Sequence, residues 1–236
     1  MIDTKFDVYS DTPHGRDPDS HSPTLRRYHK LLWSKPLPDG SAFILSDTRP
    51  AAYLHHISQR GEFHLSSDSV GHTYRHVRAM SRIVSEVPEE EVQAFFSICS
   101  TIGAYIVFPS QTVGNKATIN GARDMHHKVR DRFDLTLECI RRYYQGQDSP
   151  LRETLARYDA FFKLFNDFSG YVEFFILQDM AMEYGASVRF FLPFDGFDAS
   201  PLPGNLEEYR AYRDRVVDFI AARNERVFRI CSVEPT

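Results

Sequence analysis

Residues 114–134, GNKATINGARDMHHKVRDRFD, concentrate the side-chain types that handle anions. Asn115, Lys116, Asn120, Arg123, Lys128 and Arg132 offer amides and cations. Beside a helix N-terminus, whose first backbone N–H groups have no partner, such residues make a site for phosphate or carboxylate. His126 and His127 supply a general acid or base near neutral pH. Asp131 is a third catalytic candidate, and with Asp134 it can pair the arginines or hold a hard cation. The wider stretch 114–144 carries seven Lys/Arg against four Asp/Glu in a chain of formal charge -4. Anionic chemistry is therefore expected here before anywhere else. The GxxxxGK[ST] spacing of a phosphate loop is missing. The competing reading is a basic helix whose Arg and Asp side chains pair in solvent.

A second group lies at 65–72, LSSDSVGH, where Asp68, Ser69 and His72 fall together. Hydroxyls and a carboxylate just before a helix serve as N-caps or present themselves to a ligand. A GxSxG elbow is absent, so a nucleophilic serine is not expected. His72 and His76 stand at i, i+4, and on a helix both would face one metal ion. Residue 73 is Thr, so HExxH is not formed. A metal would need further ligands, with Asp68 and His64 the nearest candidates, and none is expected. The Arg49–His55 spacing matches that of some helical RNases, but Pro50 and strand-like flanks remove the helix such a pair needs.

The elements that must position these residues follow from periodicity and punctuation. Residues 1–24 are polar and rich in Asp, His and Pro, and are expected to form an extended N-terminal arm. Ser22 or Thr24 caps a helix through TLRRYHKLLW. Short strands are expected in AFILSD, AYLHHIS, EFHLSSD, AYIVFP and VRFFLPF. Helices are expected after residue 70, over 88–103 with Pro88 in the first turn, over 128–144 and over 149–165. TVGNKATI reads as a turn. The stretch GYVEFFILQDMAMEYG reads as a buried central helix or a strand passing into one. A long closing helix over 205–230 turns Tyr209, Tyr212, Val216, Phe219 and Ile220 inward. Strands and helices do not alternate regularly, so the fold class is α+β, mainly helical with a small mixed or antiparallel sheet. Residues 25–236 are expected to make a single domain.

Bulk composition excludes several functions. With 42% apolar and 25% charged residues the chain is an ordinary globular protein. A mildly acidic balance argues against wrapping extended duplex nucleic acid. No apolar run is long enough to span a membrane, and no leader-like segment stands at the start. Three widely spaced cysteines, Cys99, Cys139 and Cys231, argue for a reducing, cytoplasmic setting.

At GNKATINGAR, DRFDLTLECIRRYY, SPL, GYVEFFILQD and VRFFLPFD the chain resembles a family of uncharacterised bacterial proteins. The N-terminal DTPHGRDPDSHSPTLRRYHKLLWSKPLP shares the likeness. The resemblance covers most of the chain and implies a small soluble protein; it brings no activity, cofactor or residue role. Two readings of function stand. In the first, a nucleotide, nucleic-acid end or other anionic small molecule binds at 114–134 and is acted on by a hydrolase or transferase. In the second, a non-enzymatic module docks a partner, or a second copy of itself, through an aromatic face and the arm.

Overall fold

The start of the chain shows how local chemistry sets boundaries. Asp17 accepts from the Asp19 N–H and, with Pro18 in the first turn, starts α1 (Pro18–His21). Ser22 Oγ accepts from the Leu25 N–H at 3.0 Å and starts α2 (Pro23–Trp33), the cap expected from the sequence. The arm is laid on the body, with Ile2 and Val8 buried and the Val8 N–H bonded to Ser100 O. The computed structural model describes residues 1–46, 54–182 and 185–232. Arg49, Pro50 and the first residues of the expected AYLHHIS strand lie outside them.

After α2 come β1 (Lys35–Pro36), β2 (Ala42–Phe43), β3 (Leu54–Ser58) and β4 (Gly61–Ser69). Then follow α3 (Ser81–Ser85), α4 (Glu89–Cys99), β5 (Tyr105–Pro109), α5 (Ile119–Met125) and α6 (Phe133–Tyr144). The remainder is α7 (Arg152–Ala156), α8 (Asp159–Phe162), α9 (Phe168–Phe174), β6 (Ala181–Met182), β7 (Ser187–Val188) and α10 (Leu206–Ser232). Every sheet among the described residues is antiparallel and small. β4 is the middle of the largest, pairing Leu65 with Leu54 of β3 and Asp68 with Ile106 of β5. This is an α+β fold, mainly helical. No described helix is long and apolar enough to cross a membrane.

The core runs from β5, all of whose residues are buried, to α10. Tyr209, Tyr212, Val216, Phe219 and Ile220 all face inward, as their helical spacing predicts. Phe161, Phe165, Tyr171, Phe174 and Phe175 pack against one another edge-to-face or tilted at the other end. Between these regions Arg223 of α10 is fully buried. Its guanidinium donates to four main-chain carbonyls, of Gly103, Tyr105, Phe175 and Ile176.

Several local expectations give way. Residues 70–77 form an irregular loop, not a helix, and helix begins only at α3. The serines expected as caps belong instead to β4, where Ser67 is buried against Asp19. The expected helix over 128–144 starts at Phe133, because Arg130 and Asp131 adopt left-handed φ values of 45° and 63°. The expected turn over TVGNKATI runs into an extra helix, α5, capped by Thr118 Oγ1. Residues 149–165 break into α7 and α8 at Arg157–Tyr158, and VRFFLPF contributes only Val188 to a strand. Pro88 stands just before the first turn of α4 as its N-cap residue.

Candidate functional site

Two chain segments far apart in sequence meet beside the end of β4. Asp68 stands near that end; its Oδ1 accepts from the Ser69 N–H and its Oδ2 from Arg123 Nη1, both at 2.9 Å. The chain then passes Gly71, where there is no room for a side chain. A Cβ there would lie 2.6 Å from Cys99 Sγ and 2.7 Å from Val216 Cγ1, so the backbone rests directly on α4 and α10. Ser69 Oγ donates to Gly71 O at 3.0 Å and braces this turn. Two tyrosines of α10 fix the next two residues. Tyr212 Oη accepts from the His72 N–H at 3.1 Å, and Tyr209 Oη donates to Thr73 O at 2.8 Å. The long helix thus sets where His72 stands.

Asp131 arrives from the other segment. Left-handed backbone at Arg130 and Asp131 is uncommon for non-glycine residues, and cross-bonding to Arg123 holds it. The Asp131 N–H donates to Arg123 O at 2.9 Å, and Arg123 Nη2 donates to Asp131 O at 3.0 Å. Arg123 is wholly buried behind the two carboxylates, with Nε 3.1 Å from Asp131 Oδ1. Burial opposes the charge on Arg123, but Asp131 and Asp68 more than offset it and raise its pKa. Burial pushes the Asp68 carboxyl up; Arg123 pulls it back, and the Asp131 charge adds to the rise.

The contact between His72 and Asp131 has an unusual form. Nε2 lies 3.1 Å from Asp131 Oδ2, close enough for an ion pair. Yet Nε2 and Asp131 Oδ1 are both shielded from solvent and neither makes a hydrogen bond.

Asp68 and His72, but not Asp131 or Arg123, wall a cleft of about 510 Å³. Asp68, Ser69 and His72 line it together with Tyr9 and Asp17 of the arm, Arg75 and His76 of the loop, and Gln93 of α4. A smaller cavity of about 200 Å³, lined by His72, Asp124, Arg130 and Asp131, also takes in His72. His76 stands out in the sequence only as a metal partner for His72, and Arg75, Tyr9, Asp17 and Gln93 are members that sequence reasoning did not find. They come from three separate parts of the chain, and no local pattern marks them.

The other residues of the 114–134 segment go elsewhere. Arg132 is buried in an ion pair with Asp134 and donates to Pro201 O at 3.0 Å. Lys128 Nζ meets Asp198 at 2.8 Å on the surface. Asn120 Nδ2 donates to Ser66 Oγ at 3.2 Å. Asn115 is exposed in a turn. His127 is exposed and stacks on His126, their centroids 5.0 Å apart. Lys116 and His126 line a separate open cavity with Arg152 and Arg157. Of the twelve candidates, the structure gathers Asp68, Ser69, His72, Arg123 and Asp131. It does not bring together Arg123, Lys128 and Arg132, because each already neutralises a carboxylate. His72 and His76 do not share a helical face, since the loop between them is not helical.

Two groups of donors among the described residues lie close enough for a metal: Asp68, His72 and Asp131, and His55, Glu62 and His64. In the second, His55 and His64 are cross-strand partners on β3 and β4, and Glu62 Oε1 lies 2.8 and 3.3 Å from their ring nitrogens.

Fold and site together define a mainly helical α+β protein in which an Asp–His–Asp cluster over a buried arginine stands between a cleft lined by Asp68 and His72 and a smaller cavity lined by His72 and Asp131. Residues 2–227 match the model of a family of unknown function, DUF6994, and the chain belongs to that family. No curated relative and no solved structure matches it.

Proposed function

We infer that the cleft beside His72 binds a small anionic or phosphorylated ligand, such as a nucleotide or a nucleic-acid end, and acts on it as a hydrolase or transferase. The meeting of Asp68, His72 and Asp131, with Asp68 and His72 lining the cleft and Asp131 the smaller cavity that shares His72, carries this reading. Paired carboxylates and an imidazole at a cleft are the means of moving protons during such a reaction. Arg75 supplies a cationic group and His76 an imidazole within the cleft lining. Arg75 is held by both oxygens of Glu89, at 2.6 and 2.5 Å, and its five N–H donors leave capacity for an incoming anion. Arg123 supports the carboxylates from behind. The anion contacts therefore move from the 114–134 segment to the 70s loop, with Asp131 retained. We assign the protein to the cytosol, supported by the unpaired state of Cys99, Cys139 and Cys231.

The test is thermal shift and calorimetry with inorganic phosphate, AMP and NAD on the wild type, His72→Ala and Arg75→Ala. A ligand at one hundred times its Kd adds about 2.7 kcal/mol of stability. We expect at least one anion to raise the melting temperature of the wild type and neither variant to respond. Silence toward every anion, or a response that survives Arg75→Ala, overturns the reading.

One observation favours the second reading. Met1–Lys5 of the arm, Arg27 and Tyr28 of α2, and Ala221, Asn224 and Phe228 of α10 line a groove of about 800 Å³, with Phe228 exposed. A partner or a second copy docking there would appear as concentration-dependent association in sedimentation, weakened by Phe228→Asp. A monomer at all concentrations removes self-association through this groove.

A further inference from the structure

Proton transfer does not explain why His72 and Asp131 lie in contact without a hydrogen bond. A ring nitrogen that approaches a carboxylate to form an imidazole–carboxylate pair turns its N–H onto an oxygen, since an unmet buried donor is costly. Here the Nε2 atom, itself shielded from solvent, has no such bond to Asp131 Oδ2, while Asp131 Oδ1 faces Arg123 Nε at 3.1 Å. A ring nitrogen and a carboxylate oxygen in contact without a hydrogen bond between them is the arrangement made by ligands of a common third atom.

Distances support that interpretation. With metal–nitrogen and metal–oxygen bonds of about 2.0–2.2 Å, neighbouring ligand atoms on one ion stand roughly 2.8–3.6 Å apart. His72 Nε2 and Asp131 Oδ2 are 3.1 Å apart. Asp68 completes the set, with one ligand atom from each of the three residues all lying within 4.8 Å of one another. We propose that Asp68, His72 and Asp131 form a site for one divalent transition-metal ion, of the zinc or manganese type, with open coordination positions toward the cleft.

Charge and framework agree with this assignment. Asp68 and Asp131 as carboxylates set two negative charges against the single positive charge of Arg123, leaving the cluster one positive charge short of neutral. A divalent cation reverses that sign and gives an acidic wall the means to hold an anion. Arg123 then acts as the outer partner of both ligating carboxylates, the support that metal-bound carboxylates commonly have. Three protein ligands with open positions is the pattern of catalytic rather than structural metal sites. A mixed imidazole and carboxylate set suits zinc or manganese better than calcium. The ligands are held by a strand end, by a loop locked at Gly71 and Tyr212, and by a backbone cross-bonded to Arg123, so little ordering is left for binding to impose. The His55–Glu62–His64 group differs, because Glu62 already bonds both imidazoles.

The site stands whether or not the cleft takes an anion, and its test uses no other ligand. Protein dialysed against EDTA is titrated with Zn²⁺ and Mn²⁺ by calorimetry. Cobalt(II) is added in a parallel experiment to read the visible ligand-field bands. The wild type is expected to bind one ion per chain. Asp68→Asn, His72→Ala and Asp131→Asn each weaken binding at least tenfold and change the cobalt spectrum, while His55→Ala leaves both unchanged. His72→Ala is decisive where a carboxylate variant fails to fold, because it leaves Asp68, Arg123 and Asp131 paired. Absence of stoichiometric binding, binding undiminished in His72→Ala, or loss in His55→Ala instead overturns the proposal.

Discussion

Replacing Arg123 with methionine separates a structural cation from a free anion clamp. The Arg123 side chain is fully buried, whereas those of Asp68 and Asp131 are 26% and 17% exposed. Met fills similar space but leaves two carboxylates with ligand atoms within 4.8 Å of each other and no cation between them. At an effective dielectric constant of 20 their repulsion is roughly 3–4 kcal/mol. Removing one partner of a buried ion pair costs about 3–5 kcal/mol, and the cleft water reaching both carboxylates places this case at the lower end. We therefore expect Arg123→Met to lose about 3 kcal/mol. Urea unfolding measures it through the fluorescence of Trp33, the only tryptophan and a buried one. Adding Asp131→Asn removes the repulsion and should restore more than half of the loss. A loss under about 1 kcal/mol for Arg123→Met, or a double variant less stable than the single, would refute the reasoning.

Three further outcomes rest on the same geometry. Arg223→Met leaves four buried carbonyls without their donor and should cost about 3–5 kcal/mol in urea unfolding; Arg223→Lys should recover only part, since an ammonium has three donors and no planar fork. Gly71→Ala forces a methyl against Cys99 and Val216 and should cost about 1–3 kcal/mol while displacing His72, read as lower stability together with weaker zinc binding. In acid, His29 and Asp19 act in opposite directions. Burial lowers His29 to about 3, so its contribution is lost as pH falls below about 6.5. Burial raises Asp19 to about 6, so its contribution grows as pH falls from 6 toward 4. Asp19→Asn removes the second effect, and its stability deficit relative to wild type should widen by roughly 2–3 kcal/mol from pH 6 to pH 4. A constant difference across that range would remove the argument for Asp19.

What the sequence disclosed, and what it withheld, divides by range of interaction. Helix α10 was legible because five apolar residues repeat at helical spacing and need no other segment to explain them. The Ser22 cap and the antiparallel β4 were legible for the same local reason. The loop at 70–77 was not, since its shape depends on Gly71 meeting Val216 and on Tyr209 and Tyr212 supplying hydroxyls from far along the chain. Asp131 stood out, but from its neighbours alone it looked like a partner for helix arginines; its left-handed backbone turns it toward His72. Arg123 and Arg132 looked like anion contacts because a cation in sequence does not show which carboxylate it will meet. The two groups read separately, 68–72 and 114–134, share Arg123 and Asp131 in space, which no spacing rule connects.

Dependence on α10 gives the protein a definite order of completion. The helix comes after every other element along the chain, yet its Tyr209 and Tyr212 hold the His72 loop and its Arg223 ties β5 to the end of α9. During synthesis, the strand bearing Asp68 and the turn bearing Asp131 emerge well before the hydroxyls that seat His72. A nascent chain halted before residue 206 can form the hairpin and still lack the cluster. The meeting of Asp68, His72 and Asp131 is thus withheld from partial products, and a ribosome that stalls early releases fragments in which His72 is not seated.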